Sequence, residues 1–360
     1  MQVQILNNVN LIPDLDDLLP SYMEKSSAHV AWDVNFFPLS DVNQPIESTG
    51  PSYYLNRKIK NSINYNKFPN PYRSSIAIVL QGPIVSKNSI TLRIIQHYFV
   101  RYPEVCIVVS TWEDTAASDI APFVELAKLG KIRLVLNPEP EYPGVFNINR
   151  QIVSSRNGLS SVLRDFEFAI KSRTDQVFVA PRFISHLQTL FNRYSPNIFD
   201  QEKIVISSLN TFAFRLYGAS DMFQFGKTKN LFDFWNQPLD NRKITELNKE
   251  SPNLQAEAQK RVAEVYLNTN YFIQKFKKEP NYDFQESLRF IADNFIVADA
   301  SSLGQKWFKY TNLSDRWGIG KFPNKFYEMT HIDWIGLQDN SEAWKQYEQS
   351  VISEAFFLDE

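Results

Sequence analysis

The apolar positions of the chain form short continuous runs that alternate with helical patterns. Continuous runs occur over 76–80 and 105–109, and a third run, interrupted by Arg133, occurs over 132–136. Runs of this length without polar alternation are typical of strands buried on both faces of a parallel sheet. The apolar spacing predicts helices over 89–100, 116–129 and 147–163, and a fourth strand over 166–171. Strand and helix therefore alternate four times, which predicts an α/β fold with a mostly parallel central sheet and helices on both faces.

The pattern becomes less regular beyond residue 180. It predicts a helix over 181–194, a strand over 203–207, a long amphipathic helix over 254–277 and a closing helix over 341–357. Residues 1–72 contain seven prolines and many asparagines, which indicates an irregular N-terminal extension. We therefore expect the extension at 1–72, one folded domain at 73–340 with halves that meet near residue 180, and a C-terminal helix at 341–360.

Composition and charge narrow the function classes. The 360 residues are 43% hydrophobic and 22% charged, as in ordinary globular proteins. A net charge of −2 supplies no positive field, so nucleic-acid binding is not expected. Cys106 is the only cysteine, so no intrachain disulfide can form and a reducing compartment is permitted. The sequence shows no signal peptide and no membrane-spanning apolar stretch, so we expect a cytoplasmic protein, with peripheral contact at the inner face of the cytoplasmic membrane left open.

A charged turn directly follows the fourth predicted strand. It contains Arg173, Thr174 and Asp175. Open α/β sheets bind their ligands at the C-terminal ends of the strands. A carboxylate there can hold a divalent cation, and a guanidinium can face a diphosphate directly as a permanent charge with fork geometry. The alternative is an exposed turn in which Arg173 and Asp175 form a weak surface ion pair.

Two further strand ends reach the same edge of the predicted sheet. Gln81 and Gly82 follow the first strand, and Thr111 and Trp112 end the second. A nucleotide base and ribose can dock between these loops, since Trp112 offers a stacking face and Gly82 permits close approach of the backbone. Thr111 and Asp114 also fit a helix capping box, and both interpretations stay open.

The helix predicted over 147–163 carries polar residues at its N-terminal end. Asn149 and Arg150 fall near its first turn, where backbone N–H groups favour anions, and Arg156 lies about two turns further along. These residues are candidates for binding a phosphorylated ligand. The alternative is the solvated polar face of an amphipathic helix.

The second half of the chain adds basic and acidic candidates. Lys306 and Lys309 begin an aromatic and basic tail that can close over a diphosphate or rest on an anionic membrane surface. Because the rest of the chain is neutral to acidic, we favour the diphosphate over single-stranded nucleic acid. His331 is a second candidate metal ligand beside Asp175, although a lone histidine is more often structural. Asp221 is a candidate general base.

Six short motifs occur in the order in which a known family carries them. They are Gln81-Gly82-Pro83-Ile84, Val109-Ser110-Thr111-Trp112-Glu113, Asn149-Arg150-Gln151-Ile152 with Gly158-Leu159, Lys171-x-Arg173-Thr174-Asp175-Gln176, Ser220-Asp221 with Phe225-Gly226-Lys227-Thr228, and Ala263-Glu264-x-Tyr266-Leu267. Together they resemble, over about residues 75–310, the WavE family of bacterial lipopolysaccharide-synthesis proteins, which look like glycosyltransferases of the GT-A fold.

The resemblance implies transfer of a sugar from a nucleotide-sugar donor to a lipopolysaccharide, capsule or similar glycan or glycolipid. Residues 73–180 would form the donor half and 181–340 the acceptor half. The element around Glu264 is also similar to the stretch that carries the base in core-2 N-acetylglucosaminyltransferases. That similarity makes Glu264 the first candidate base for direct displacement with inversion, with Asp221 as its rival. Those enzymes also lack a complete Asp-x-Asp, so the resemblance leaves open whether the reaction uses Mn²⁺ or Mg²⁺ or no metal.

Two other function classes stay open on the sequence. One is a nucleotidyl- or phosphotransferase on a similar sheet, which would attack phosphorus and in general require Mg²⁺. The other is a non-catalytic glycan-binding relative that has kept the fold while its Asp-x-Asp decayed. The sequence identifies neither the nucleotide and sugar of a donor nor the acceptor and linkage.

Overall fold

The computed structural model describes residues 75–195, 202–242, 253–261, 263–309 and 327–338. The N-terminal extension predicted over 1–72 and the C-terminal helix predicted over 341–360 lie outside the described residues. The described residues between them form a layered α/β structure around one seven-stranded sheet.

The central sheet has the strand order β3-β2-β1-β4-β7-β6-β8. Its strands are β1 Ile76–Gln81, β2 Cys106–Trp112, β3 Arg133–Asn137, β4 Phe168–Arg173, β6 Ile204–Ser207, β7 Gln224–Lys227 and β8 Phe295–Ala298. The first four strands run parallel to one another, and β6 runs parallel to β8. Only β7, among these strands, is antiparallel to both of its neighbours. The predicted fold class, an α/β fold with a mostly parallel central sheet, is confirmed.

Helices cover both faces of this sheet. The described helices are α1 Ile90–Arg101, α2 Ala117–Lys128, α3 Ile148–Ser160, α4 Phe183–Tyr194, α5 Thr228–Trp235, α6 Leu254–Gln259, α7 Glu264–Phe276, α8 Phe284–Asn294, α9 Ala300–Leu303 and α10 His331–Gln338. On β4, Phe168 meets Phe191 of α4 with ring centroids 5.4 Å apart. Lys171, three residues further on, lies 4.1 Å from the ring centre of Trp235 in α5. Strand residues an odd number apart point to opposite faces, so α4 and α5 cover opposite sides of β4.

A second, two-stranded sheet brings the aromatic and basic tail beside the turn that follows β4. Strand β5 (Gln176–Phe178) pairs antiparallel with β9 (Gln305–Trp307), with Gln176 opposite Trp307. The backbone N–H of Phe308 donates to the carbonyl of Asp175 at 2.9 Å. Two segments separated by about 130 positions in the sequence are therefore in direct contact.

The prediction of one helix over 254–277 is wrong, because two helices, α6 and α7, occupy this range. Between them Arg261 and Ala263 adopt left-handed backbone conformations, with φ of 49° and 45°. The guanidinium of Arg242 donates to the carbonyls of residues 260 and 261 and so replaces hydrogen bonds that a continuous helix would supply. As a result Glu264 stands at the N-terminus of α7 and not in mid-helix.

Helix α3 approaches the sheet closely at Gly158. A Cβ atom at this position would lie 2.6 Å from Cγ1 of Val79 and 3.0 Å from Cβ of Ser110. Neighbouring Asn157 donates to Oδ1 of Asn137 at 2.9 Å. Asn157 and Gly158 therefore pack α3 against β1, β2 and β3.

We expect Gly158→Ala to destabilise the protein by about 1–3 kcal/mol, because overpacking a close helix–sheet contact forces the backbones apart. Urea denaturation measures the change in the free energy of unfolding. Ser160→Ala, on the exposed side of the same helix, is the matched control and should change little. Equal stability of the two variants would contradict the packing role of Gly158.

Candidate functional site

A cleft of about 1150 Å³ opens at the C-terminal edge of the parallel strands. The strand ends of β1, β2 and β4 supply Gly82, Trp112 and Arg173 to its wall. The remaining lining residues come from the turns after β1, β2 and β4, the β3–α3 loop and the first turn of α3, and the segment between β6 and β7. Others come from α6 and its C-terminal end, the start of α7 and the end of β9. All of these residues together are Gln81, Pro83, Asp114, Glu139, Val145, Phe146, Asn147, Arg150, Gln151, Asp175, Asn210, Arg215, Asp221, Met222, Glu257, Lys260, Ala263, Glu264, Trp307 and Lys309.

The turn after β4 is tied to the end of β1 by backbone and side-chain hydrogen bonds. The N–H of Thr174 donates to the carbonyl of Gln81 at 3.1 Å, and its hydroxyl donates to the carbonyl of Pro83 at 2.6 Å. Gly82 has φ of 118°, and a Cβ there would lie 3.3 Å from Oγ1 of Thr174. The absence of a side chain at Gly82 therefore lets the two strand ends approach, and this places Arg173 and Asp175 at the cleft.

Arg173 and Asp175 form a bidentate ion pair in which Asp175 is buried and Arg173 is partly exposed to the cleft. Nε of Arg173 lies 2.8 Å from Oδ1 of Asp175, and Nη2 lies 3.0 Å from Oδ2. The indole N–H of Trp307 donates to the same Oδ2 at 3.1 Å. Asp175 is only 8% exposed, so the alternative of a weak surface ion pair is wrong. Burial raises the pKa of Asp175, but the Arg173 charge and the hydrogen bonds from Arg173 and Trp307 together outweigh it, and the net pKa is lowered.

The geometry does not bring the two predicted metal ligands together. Both carboxylate oxygens of Asp175 already accept hydrogen bonds from Arg173 or Trp307. His331 does not line the cleft; its Nδ1 bonds the carbonyl of Val297 at 2.7 Å, and its ring stacks on Trp334. The described residues contain no group of three or more histidine, cysteine or acidic side chains arranged for a metal ion. These residues do not fit a divalent cation held by several protein ligands.

A second charged pair in the cleft joins Glu264 to Arg215. Nη1 of Arg215 donates to Oε1 of Glu264. Glu264 is 9% exposed and stands at the N-terminus of α7. Burial raises the pKa of Glu264, and the opposing charge of Arg215 does not cancel this effect. A carboxylate whose pKa is raised is a stronger base, which suits proton abstraction from a hydroxyl.

Asp221 lies close to both Glu264 and Lys171. Its negative charge raises the pKa of each of these groups. Burial has the larger effect on both, since it lowers the pKa of Lys171 and raises that of Glu264. The backbone carbonyl of Asp221 accepts a hydrogen bond from Nζ of Lys171, which is fully buried on the ring of Trp235. Lys171 therefore supports, from inside the protein, the segment that presents Asp221 to the cleft.

We expect the free energy of unfolding to rise between about pH 7 and pH 10, with Lys171 as a main contributor. Burial lowers its pKa to about 7 in the folded protein, against about 10.4 in the unfolded chain. In this window the unfolded chain binds more protons, so stability increases with pH. Lys171→Met should flatten the slope measured by urea denaturation. A smaller slope should remain from Lys203, whose pKa is also lowered by burial. An unchanged slope in the variant would contradict the buried, proton-releasing lysine.

The structure brings most of the predicted site residues to one cleft. These are Gln81, Gly82, Trp112, Arg150, Arg173, Asp175, Asp221, Glu264 and Lys309. Some are also engaged by protein partners: Oε1 of Gln81 accepts from the Ser154 hydroxyl at 2.8 Å, and Arg150 pairs with Glu139. The roles assigned to these residues stay predictions, and the geometry shows only that they share one site.

Thr111, Asn149, Arg156, Lys306 and His331 do not line the cleft. Thr111 is fully buried within β2, and α2 begins only at Ala117, so its interpretation as a helix cap is wrong. The amide of Asn149 bonds the carbonyls of Tyr142 and Asp240. Lys306 is the neighbour of Trp307 on β9, and adjacent strand residues point to opposite sides.

Sequence reasoning missed several residues that the fold places at the cleft. Arg215 lies in a segment without a recognisable pattern, and no local signal marked it. Trp307 belonged to the aromatic and basic tail, but only the β5–β9 pairing shows that its indole reaches Asp175. Phe146 and Glu139 lie in the loop between β3 and α3, where no local sequence pattern marked a site.

The fold and the cleft can be compared with known proteins. No curated protein shows significant sequence similarity to the chain. Among solved structures it is similar to Staphylococcus aureus TarS, with a TM-score of 0.32 and 6% identity over 62% of this chain and 35% of TarS. It is also similar to the Pyrobaculum calidifontis mannosyltransferase PcManGT, solved with GDP-Man and Mn²⁺, with a TM-score of 0.32 and 10% identity over 86% of this chain and 94% of that one. The chain thus spans about a third of TarS, and at these scores neither likeness assigns chemistry to it.

A third solved structure is the 4-diphosphocytidyl-2C-methyl-D-erythritol synthase of Anaerococcus prevotii, with a TM-score of 0.31 and 14% identity over 75% of this chain and 98% of that one. None of the described helices combines the length and the apolar character needed to traverse a lipid bilayer. The model of the family described as WavE lipopolysaccharide synthesis matches residues 76–360. Because this match covers most of the chain, the protein belongs to the WavE lipopolysaccharide-synthesis family.

Proposed function

We propose that the protein is a glycosyltransferase that moves a sugar from a nucleotide-sugar donor to a glycan or glycolipid acceptor in lipopolysaccharide or related surface-glycan synthesis. One observation carries the proposal. The same cleft holds two cations, Arg173 and Lys309, and a buried carboxylate whose pKa is raised, Glu264. Sugar transfer needs both, because a diphosphate must leave and an acceptor hydroxyl must lose a proton.

The donor diphosphate is proposed to bind beside Arg173. The guanidinium is held in place by its bidentate pair with Asp175 and lies 5.5 Å from the ring centre of Trp307. Lys309, also on the cleft, approaches the same indole. A guanidinium that is fixed before the ligand arrives stabilises developing negative charge without reorganising during the reaction. Asp175 then acts as the residue that positions Arg173.

The reaction proposed is one direct displacement with inversion. Glu264 takes the proton of the acceptor hydroxyl, whose oxygen forms a bond to the anomeric carbon. The bond between that carbon and the donor phosphate oxygen breaks at the same time, and the nucleoside diphosphate leaves with the electron pair. Arg173 and Lys309 offset its added charge. Asp221, next to Glu264, is the alternative base.

We propose that fixed side-chain cations, and not a metal ion, carry most of this charge compensation. Asp175 is already engaged by Arg173 and Trp307, so a metal would have to displace a buried ion pair to reach it. The cost of breaking such a pair is substantial, because it leaves a buried charge without its partner. A donor should therefore bind in EDTA as well as in Mn²⁺.

The first test is a thermal-shift panel of UDP, GDP, CMP and dTDP with their sugars, each in Mn²⁺ and in EDTA. Ligand that binds only the native state raises the melting midpoint. A shift for one nucleotide family supports the proposal and identifies the donor class. Its survival in EDTA supports Arg173 and Lys309 as the diphosphate ligands, and its loss assigns that role to a metal. No shift with any nucleotide, with or without a glycan acceptor, would favour a glycan-binding protein.

Product analysis then separates sugar transfer from phosphorus chemistry. The enzyme is incubated with the bound donor and a lipopolysaccharide acceptor, and the released phosphate species are resolved by chromatography. A glycosyltransferase releases the nucleoside diphosphate of a diphosphate donor, or CMP from a CMP-sugar. Release of pyrophosphate, or of a nucleoside monophosphate from a donor diphosphate, would contradict the proposal in favour of a nucleotidyl- or phosphotransferase.

A further inference from the structure

The loop between β3 and α3 holds an exposed aromatic ring at the rim of the cleft. Phe146 lines the cleft, and its side chain is 67% exposed. Both Phe146 and the following Asn147 adopt the left-handed conformation, with φ of 53° and 62°. That conformation is uncommon for a bulky residue and persists only where the surrounding structure enforces it. An apolar ring in a costly conformation, with most of its surface in water, is not explained by packing.

Buried contacts hold this loop in one conformation. The side-chain amide of Asn149 donates to the carbonyls of Tyr142, at 3.0 Å, and Asp240, at 2.8 Å. Its Oδ1 accepts from the backbone N–H of Asp240 at 2.6 Å. At Gly144, where φ is 74°, an added Cβ would lie 2.8 Å from Cγ2 of Ile148. These buried hydrogen bonds and the close packing at Gly144 fix the backbone of the loop and hold Phe146 at the rim of the cleft.

The chemistry around the ring suits a flat heterocycle. Asp114 follows β2 and Glu139 follows β3, and both carboxylates line the same cleft. The β2 and β3 ends are joined, since the N–H of Glu113 donates to the carbonyl of Asn137 at 2.9 Å. Carboxylate oxygens only accept hydrogen bonds, so they match the N–H edge of a nucleobase. Asp114 would repel a phosphate, whereas the charge of Glu139 is compensated by its ion pair with Arg150.

The strand order separates this region from the diphosphate cations. Strands β3 and β4 are three places apart in the sheet, and adjacent strands lie about 4.8 Å apart. The end of β3, after which Glu139 follows, therefore lies roughly 14 Å along the sheet edge from the end of β4, which carries Arg173. A ribose linking a base to a diphosphate can bridge the two regions, which a bare diphosphate or a small sugar cannot.

We propose that Phe146 is the stacking platform for the nucleobase of the donor, held in position by Asn149, and that it contributes to nucleotide affinity and not to the chemical step. This inference rests on the proposed function, because it assumes a nucleotide donor. Base–aromatic stacking tolerates any base, since every base has a π-face. The platform thus supplies affinity, while hydrogen bonds from the base edge decide which base is accepted.

The test uses two substitutions at Phe146 and one control. Phe146→Asn removes the ring but favours the left-handed backbone, so this variant should melt at or above the temperature of the parent protein. Its affinity for the nucleoside diphosphate that stabilises the parent should fall roughly 5- to 150-fold, the usual loss of one base–aromatic contact. Inorganic pyrophosphate should bind both proteins equally. Phe146→Trp should retain nucleotide affinity, and Phe276→Ala, an exposed phenylalanine away from the cleft, should leave it unchanged.

The outcomes separate the platform from the proposed function. If the parent binds a nucleoside diphosphate and Phe146→Asn binds it equally well, the platform is refuted and the glycosyltransferase proposal stands. If only the KM for the glycan acceptor rises in that variant, the ring contacts an acceptor sugar and the nucleobase assignment fails. If the parent binds no nucleotide at all, both proposals fall together.

Discussion

Glu264→Gln is expected to lower sugar transfer by roughly 10²- to 10⁴-fold, the usual contribution of a positioned general base. Glutamine keeps the shape of the side chain and can still accept a hydrogen bond from Arg215, but it cannot take a proton from the acceptor. Nucleotide affinity should survive, because the proposed diphosphate ligands are Arg173 and Lys309. Transfer is measured as release of nucleoside diphosphate, and affinity by calorimetry.

The pH profile of the parent enzyme gives a second measurement on the same carboxylate. Burial raises the pKa of Glu264, and only the ionised form can act as base. Transfer should therefore rise with pH through a pKa above the usual glutamate value of about 4.3. In Glu264→Gln the residual rate should lose this rise.

Controls distinguish Glu264 from its neighbours. Glu125→Gln changes an exposed glutamate on α2 that pairs with Lys128, and transfer should be unaffected. Asp221→Asn tests the rival base in the same cleft. If Asp221→Asn abolishes transfer while Glu264→Gln retains the parent rate, the base is Asp221, and the pair of Glu264 with Arg215 is structural.

Arg173→Met is expected to weaken nucleoside diphosphate binding at least about tenfold and to destabilise the fold by about 3–5 kcal/mol. The two effects have different causes. Affinity falls because the diphosphate loses a fixed, fork-shaped cation. Stability falls because the carboxylate of Asp175, which is 8% exposed, remains charged and buried but no longer has Arg173 as its ion-pair partner. Calorimetry and urea denaturation measure them separately.

A double variant separates these causes. Arg173→Met with Asp175→Asn removes both charges, so most of the lost stability should return, while diphosphate affinity should stay low. Recovery of affinity together with stability would show that Arg173 only stabilises the turn and does not contact the ligand. Lys128→Met, which breaks an exposed ion pair, is the control and should cost no more than about 1 kcal/mol.

The arrangement of the cleft gives Asp175 a role that differs from the one its position in the sequence suggested. A carboxylate at a strand end is an obvious metal ligand when only the sequence is considered. In the fold, the turn is bonded to β1 through Thr174, and the carboxylate is shared between Arg173 and Trp307. The carboxylate of Asp175 is therefore placed to hold the guanidinium of Arg173 in position. The EDTA comparison decides between the two roles.

The strands and helices of the first half could be predicted from the sequence because their signals are local. A strand buried on both faces must be apolar along its whole length, as residues 76–80 are, and a helix on the sheet must repeat its apolar positions every three to four residues. The second half was harder to predict. Strand β7 contains Gln224, Gly226 and Lys227 and is antiparallel inside a parallel sheet, so no apolar run marked it.

The break between α6 and α7 illustrates the limit of periodicity. The amphipathic pattern of 254–277 continues through the break, so the sequence predicts one helix. Arg242, distant in the sequence, takes the backbone carbonyls of residues 260 and 261 and stabilises two left-handed residues. Tertiary hydrogen bonds thus override local propensity. The break matters for the proposed function because it places Glu264 at the N-terminus of α7, where it lines the cleft.

The sequence alone determined the α/β class, the strand ends that carry Gly82, Trp112 and Arg173, and the family. These follow from local periodicity and from residues close together in the chain. Only the tertiary structure decided which polar residues share a site. It joined Trp307 to Asp175 and Arg215 to Glu264. It also placed Asn149 and the half-buried His331 away from the cleft, where each bonds to backbone carbonyls. The physical reason is that hydrogen bonds and ion pairs depend on distances of about 3 Å, and positions far apart in the sequence acquire such distances only when the chain folds.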